Sequence, residues 1–140
     1  MTPADAAKPK ILVVDDDHAN LRTFRIVFRA EYDAVLALSG DEALDALAAG
    51  AIDVALVDYA MPDMNGLQLL ARIQRAHPDV GRIMVTGYPD LPELSAATES
   101  GLAAAVVMKP WDRDALMRTI DEQVRLARSG APASGGSDAA

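Results

Sequence analysis

Cysteine is absent from the 140 residues, and histidine occurs only at His18 and His77. No disulfide, thiolate metal centre or cysteine nucleophile is therefore available, and two imidazoles are too few for a structural zinc site. A bound metal must be held by oxygen. Long apolar runs are missing too: none approaches the roughly 20 residues that cross a bilayer. The opening MTPADAAKPK lacks both a basic cluster leading into an apolar core and a small-residue cleavage site, so the reading is a soluble, cytoplasmic chain. Positive charge is scarce, 13 basic side chains against 21 acidic, for a net charge of -8. Such a balance suits solubility and repels nucleic acid phosphates and anionic membranes, so neither is expected as a direct partner.

What is present is periodic. Five short apolar runs rich in branched residues, Ile11 to Val14, Ala34 to Leu38, Ile52 to Val57, Ile83 to Val85 and Ala104 to Met108, read as strands. Their near-continuous apolar character is that of parallel strands covered on both faces. Each run is followed by a helix-period segment, carried by Leu21, Phe24 and Phe28, by Leu44 and Leu47, by Leu67, Leu70 and Ile73, by Leu94 and Ala97, and by Leu116, Ile120 and Val124. Helix starts are signalled by Ser39 with Glu42, Asn65 with Gln68, and Asp90 with Glu93 around Pro92, and helix ends by Gly50, Gly101 and Gly130. Asp17 suits the N-cap of the first helix. Five β-α units predict an α/β doubly wound parallel sheet with right-handed crossovers, in the flavodoxin-like order 2-1-3-4-5 with helices on both faces. The expected organisation is one domain over 10–128, an N-terminal extension over 1–9, and a flexible tail or linker over 129–140, whose Ser, Gly, Ala, Pro and Asp cannot bury enough apolar surface to offset chain entropy.

In sheets of this kind ligands bind beyond the carboxyl ends of the strands. Those ends are polar here: Asp15, Asp16 and Asp17 after the first strand, Asp58 at the third, Thr86 at the fourth, and Lys109 with Pro110 at the fifth. Two like unit charges about 4 Å apart repel by roughly 4 kcal/mol at an effective dielectric of about 20, so Asp15, Asp16 and Asp58 cluster there only with a cation. Three carboxylates and one lysine leave two negative charges, which a divalent ion cancels. An all-oxygen site with few protein ligands suits Mg²⁺ better than a Ca²⁺ cage. Should Asp58 become an aspartyl phosphate, Lys109 and the Thr86 hydroxyl are the donors for the added oxygens. Any one of these residues alone would read as a solvated turn residue; the combination at four strand ends carries the inference.

The segments ILVVDDD, ALVDYAMPDMNG, IMVTG and VVMKPW resemble the receiver domain of response regulators, over about residues 10–128. The resemblance implies a phosphoacceptor switch in which Asp58 receives a phosphoryl group from a sensor histidine kinase or a histidine phosphotransfer protein. It further implies Asp16 as a direct Mg²⁺ ligand, Asp15 as one acting largely through water, the Ala60 carbonyl as another ligand, and Thr86 and Lys109 as phosphoryl binders. A cis Lys109–Pro110 bond is implied as well. The protein is then regulatory rather than an enzyme with a separate substrate, and its output passes to a downstream protein or an attached output domain through the face of helix 4, strand 5 and helix 5. Val106 departs from the pattern, which usually has Tyr or Phe three residues before the lysine. Tyr88 and Trp111 are the candidates to take over part of that ring's relay. A dehalogenase-type phosphatase would need an acid where Ala60 stands, and a flavodoxin would not place three aspartates where the cofactor's phosphate binds.

Overall fold

The computed structural model describes residues 8–129. Strands β1 (Lys10–Val14), β2 (Asp33–Ala37), β3 (Val54–Asp58), β4 (Gly81–Thr86) and β5 (Ala105–Met108) alternate with helices α1 (His18–Val27), α2 (Gly40–Ala48), α3 (Gly66–Ala76), α4 (Pro92–Glu99) and α5 (Arg113–Arg128). The strands form one parallel sheet in the order β2-β1-β3-β4-β5, as the sequence predicts. Strand bounds shift by a few residues. Residue 52 falls outside β3, and at Asp53 a side-chain oxygen accepts the Lys10 N–H at 3.0 Å, a position where a ladder carbonyl would serve.

Side chains alternate along each strand, so the sheet splits the core in two. Ile11, Val13, Val54, Leu56, Ile83 and Val85 face α1 and α5, where they meet Leu21, Phe24, Leu116 and Ile120. Leu12, Val14, Ala55, Val57 and Met84 face α2, α3 and α4, where they meet Leu47, Leu69, Leu70, Ile73 and Leu94. Both layers are fully buried, which explains why β1, β3 and β4 read as unbroken apolar runs.

Most helix signals are realised. Asp17 caps α1 by accepting the Ala19 N–H at 2.8 Å. Asn65 and Gln68 form a reciprocal capping box on α3, both bonds 2.9 Å. Asn65→Ala should therefore cost about 1 kcal/mol, read as a lower urea midpoint at unchanged slope. Ser39 caps α2, but Glu42 reaches back one residue further than the pattern implies, to the Leu38 N–H. The expectation for α4 is corrected: its N-cap is Leu91, not Asp90, and no side chain caps it. Pro92 sets the boundary, because the residue before a proline is pushed out of the helical region and Leu91 is extended at φ -61, ψ 136. Glu93, freed from a capping role, bonds elsewhere. Gly50 and Gly101 follow α2 and α4 with positive φ. Gly130 and most of the tail lie outside the described residues, as do residues 1–7 of the extension.

At the amino end of the sheet, a buried guanidinium replaces what sequence reading left unassigned. Arg82, 2% exposed, donates to the carbonyls of Pro78, Val80, Gly101 and Leu102. It thereby ties the loop before β4 to the turn after α4, using four acceptors no ladder satisfies.

Candidate functional site

Parallel register brings the polar strand ends together. Val14 lies beside Val57, Asp58 beside Val85 and Thr86 beside Met108, so Asp15, Asp58, Thr86 and Lys109 emerge at one level at the carboxyl edge. Asp15 and Asp58 are buried and Asp16 is exposed; one carboxylate oxygen from each lies within 4.8 Å of the others. Lys109 Nζ sits 2.7 Å from Asp58 Oδ1 and 3.5 Å from Asp15 Oδ2. The Lys109–Pro110 peptide is cis, as the family pattern implies, and the Lys109 N–H donates to the Thr86 carbonyl at 2.8 Å.

Each carboxylate has a different set of holders. Asp15 Oδ1 accepts the Asp17 N–H at 2.9 Å, and its Oδ2 accepts the Asn20 amide at 3.0 Å. Asn20 was not foreseen; only its place on α1, one turn beyond the aspartates, hinted that it faces the crevice. Asp58 has Lys109 on Oδ1, while Oδ2 accepts no hydrogen bond from any described residue. Burial is the largest influence on Asp58 and pushes its carboxyl above the ordinary range, against the pull of Lys109; the charges of Asp15 and Asp16 add to the rise. For Lys109, burial draws the ammonium down, but the hydrogen bond and charge of Asp58, with Asp15, outweigh it and leave the lysine above its usual value. An ionised Asp58 is thus costly in this crevice, and a bound cation relieves that cost. The donor set of three carboxylate oxygens fits a divalent ion.

Thr86 is buried, and its hydroxyl accepts the Tyr88 N–H at 3.0 Å, which leaves the hydroxyl proton free to donate. Ala60, exposed, is the second residue of the loop after β3, and no described residue donates to its carbonyl. Of the relay candidates, Val106 is half-buried against the α2–α4 layer, Tyr88 stands 73% exposed, and Trp111 belongs to the α1–α5 layer. Trp111 packs on Phe28 and Phe24, with ring centroids 5.6 and 6.3 Å away. It also walls a cavity of about 500 Å³ that opens onto Asp15, Asp58 and Lys109.

Residues 11–121 match the family model of the response regulator receiver domain. The chain belongs to that family. Among curated receivers, it is 36% identical over 113 residues to the transcriptional regulatory protein GlrR of Escherichia coli, covering 80% of this chain and 25% of the relative. It is 33% identical over 122 residues to the DNA-binding response regulator MtrA of Mycobacterium tuberculosis, covering 86% of this chain and 53% of that one. A CheY-like receiver domain from Methanospirillum hungatei superposes with a TM-score of 0.81 at 31% identity, covering 89% of this chain and all of the other. The response regulator TrrA of Thermotoga maritima, solved in complex with Mg(2+)-BeF, gives 0.73 at 26% identity over 81% of this chain and 97% of its own. A receiver domain is a phosphoacceptor switch, and the clustered aspartates here are the equipment for one. The chain spans a quarter of GlrR and about half of MtrA. No helix among the described residues is long and apolar enough to cross a membrane.

Proposed function

We propose that Asp58 accepts a phosphoryl group from a partner's phosphohistidine, in a reaction that uses Mg²⁺ held by Asp16, Asp58, the Ala60 carbonyl and, largely through water, Asp15. The observation that carries this reading is the pairing of Asp58 Oδ1 with Lys109 at 2.7 Å while Oδ2, amid the carboxylate cluster, accepts no hydrogen bond from the described residues. When bound, the ion neutralises charge on the carboxylates and on the phosphoryl oxygens. The chain's own residues do the rest. Lys109 fixes the rotamer of Asp58 and points Oδ2 at the crevice. Oδ2 forms the new O–P bond while the P–N bond to the donor imidazole breaks, its electron pair returning to nitrogen. The added oxygens are then met by the Lys109 ammonium and the Thr86 hydroxyl. Asn20 and the Asp17 N–H keep Asp15 aligned throughout.

In this reading residues 10–128 form the switch and residues 1–9 and 129–140 flank it. The chain works in the cytoplasm and assists its own phosphorylation and dephosphorylation. A sensor histidine kinase or histidine phosphotransfer protein supplies the phosphate, and the altered α4–β5–α5 face acts on a downstream protein or an attached output domain. Contact with nucleic acid is left to that output, because this chain's charge of -8 opposes it.

Trp111 makes the test simple, since it is the single tryptophan and lies on the cavity that reaches Asp58. Mg²⁺ with beryllofluoride should change its fluorescence saturably, and beryllofluoride without Mg²⁺ should not. A response that ignores the metal, or no response together with no phosphate uptake from acyl phosphate, would refute the reading.

A further inference from the structure

The residue that follows Asp58 is tied directly to α4. The Tyr59 hydroxyl donates to Glu93 Oε2 in the first turn of that helix. Both groups register the contact: the bond raises the Tyr59 phenol and lowers the Glu93 carboxyl from their ordinary values. At its backbone Tyr59 is firmly held, its N–H donating to the Val85 carbonyl at 2.9 Å and its carbonyl accepting the Gly66 N–H at 2.8 Å. The other partner is not. Helix α4 has only eight residues and no side-chain cap, and of the backbone bonds at its start the Leu94 N–H to Leu91 bond is 3.0 Å, while Leu91 to Tyr88 and Ser95 to Leu91 are long at 3.4 Å. The segment from Gly87 to Asp90 that leads into it is largely exposed.

The same segment hangs from Thr86, whose hydroxyl accepts the Tyr88 N–H. Any shift of that hydroxyl toward Asp58 therefore pulls on the entry to α4, while Tyr59 stays fixed to β3. A displacement of about 1 Å takes a hydrogen bond from good geometry to none. Tyr59, Leu91 and Val106 pack against one apolar layer, so a ring is present in that layer although position 106 has none.

We propose that the Tyr59–Glu93 hydrogen bond is a latch that holds α4 in its resting position and is released when Thr86 is drawn to a phosphoryl group on Asp58. The release half rests on the phosphoacceptor reading above. Tyr59 thereby couples the acceptor loop to the α4–β5–α5 face in a chain whose position three before Lys109 is Val106. It is a positioning residue, since it touches no reacting atom.

Hydrogen exchange of residues 91–97 tests this, measured on the whole chain with and without Mg²⁺ and beryllofluoride. In the resting form, Tyr59→Phe and Glu93→Gln should each speed exchange about threefold to tenfold, the scale of one exposed hydrogen bond. The double variant should do no more than either single one. Wild-type exchange should rise with beryllofluoride, and the variants should show little further rise. Amides of α1 and α3 that exchange by local opening should match wild type, which separates a latch from a general packing role. Unchanged resting exchange, additive effects, or a full further rise in Tyr59→Phe would each overturn the latch. A silent Trp111 in wild type together with no phosphate uptake from acyl phosphate would overturn the phosphoacceptor reading and the release with it, while resting exchange would still decide whether the bond restrains α4.

Discussion

Asp58→Asn should take up no phosphoryl group from a small acyl phosphate and Mg²⁺, a loss on the order of a thousandfold or more against wild type. Asparagine keeps the size and shape of aspartate, so the fold survives while the nucleophilic oxygen and its charge are gone. Mass spectrometry of the intact chain reads the result, and phosphate on the variant would remove Asp58 from the mechanism. The same substitution separates charge from structure. In the metal-free protein the Asp58 carboxyl is raised, first by burial and then by Asp15 and Asp16, so the folded chain holds that proton more tightly than the unfolded one. Its contribution to stability is full below the unfolded-state pKa and is lost as pH rises through the folded-state pKa. Metal-free wild type should accordingly lose stability across that window, and Asp58→Asn should lose less. Mg²⁺ stabilises by binding the folded form, so it should raise the wild-type melting temperature at neutral pH and raise that of Asp58→Asn much less.

Gly66→Ala should cost about 3 kcal/mol of stability. A β-carbon at position 66 would stand 2.6 Å from the Asp58 carbonyl oxygen and 2.9 Å from both Tyr59 Cα and Met84 Sδ. The methionine can move; the two backbone atoms belong to the strand end that presents Asp58 and cannot yield without shifting it. Fluorescence-detected urea unfolding should give a clearly lower midpoint, and Mg²⁺ affinity should fall as the acceptor loop is displaced. Gly87→Ala is the control, because no atom lies within 4 Å of a β-carbon there, and its midpoint should stay within about 0.5 kcal/mol of wild type. Equal midpoints for the two variants would show that the close approach at Gly66 is not what the loop requires.

These two sites differ in how openly the sequence displays them. Asp58 ends an apolar run and belongs to a set of polar strand ends, a pattern that needs no structure to notice. Gly66 reads at first as the end of the MPDMNG turn, but only the packed structure shows that it abuts the backbone of Asp58 and Tyr59. The helix caps divide in the same way. The box of Asn65 and Gln68 is local, confined to four residues, and forms as written. The start of α4 was misplaced by one residue because Pro92 excludes helical geometry at Leu91, and because Tyr59, 34 positions away, claims the Glu93 carboxylate.

The alternation of elements, the parallel sheet and the convergence of Asp15, Asp58, Thr86 and Lys109 are legible in the chain before it folds, because strand period, double-sided burial and polar strand ends are properties of contiguous segments. Tertiary structure alone decided which polar atoms meet: Asn20 on Asp15, Arg82 on four carbonyls, Tyr59 on Glu93, Trp111 in the α1–α5 layer rather than beside Val106. Those pairings depend on the packing of whole helices against the sheet, where a rotation of about 30° moves a side-chain tip by roughly 3 Å, the length of a hydrogen bond, and no local pattern of residues encodes that angle.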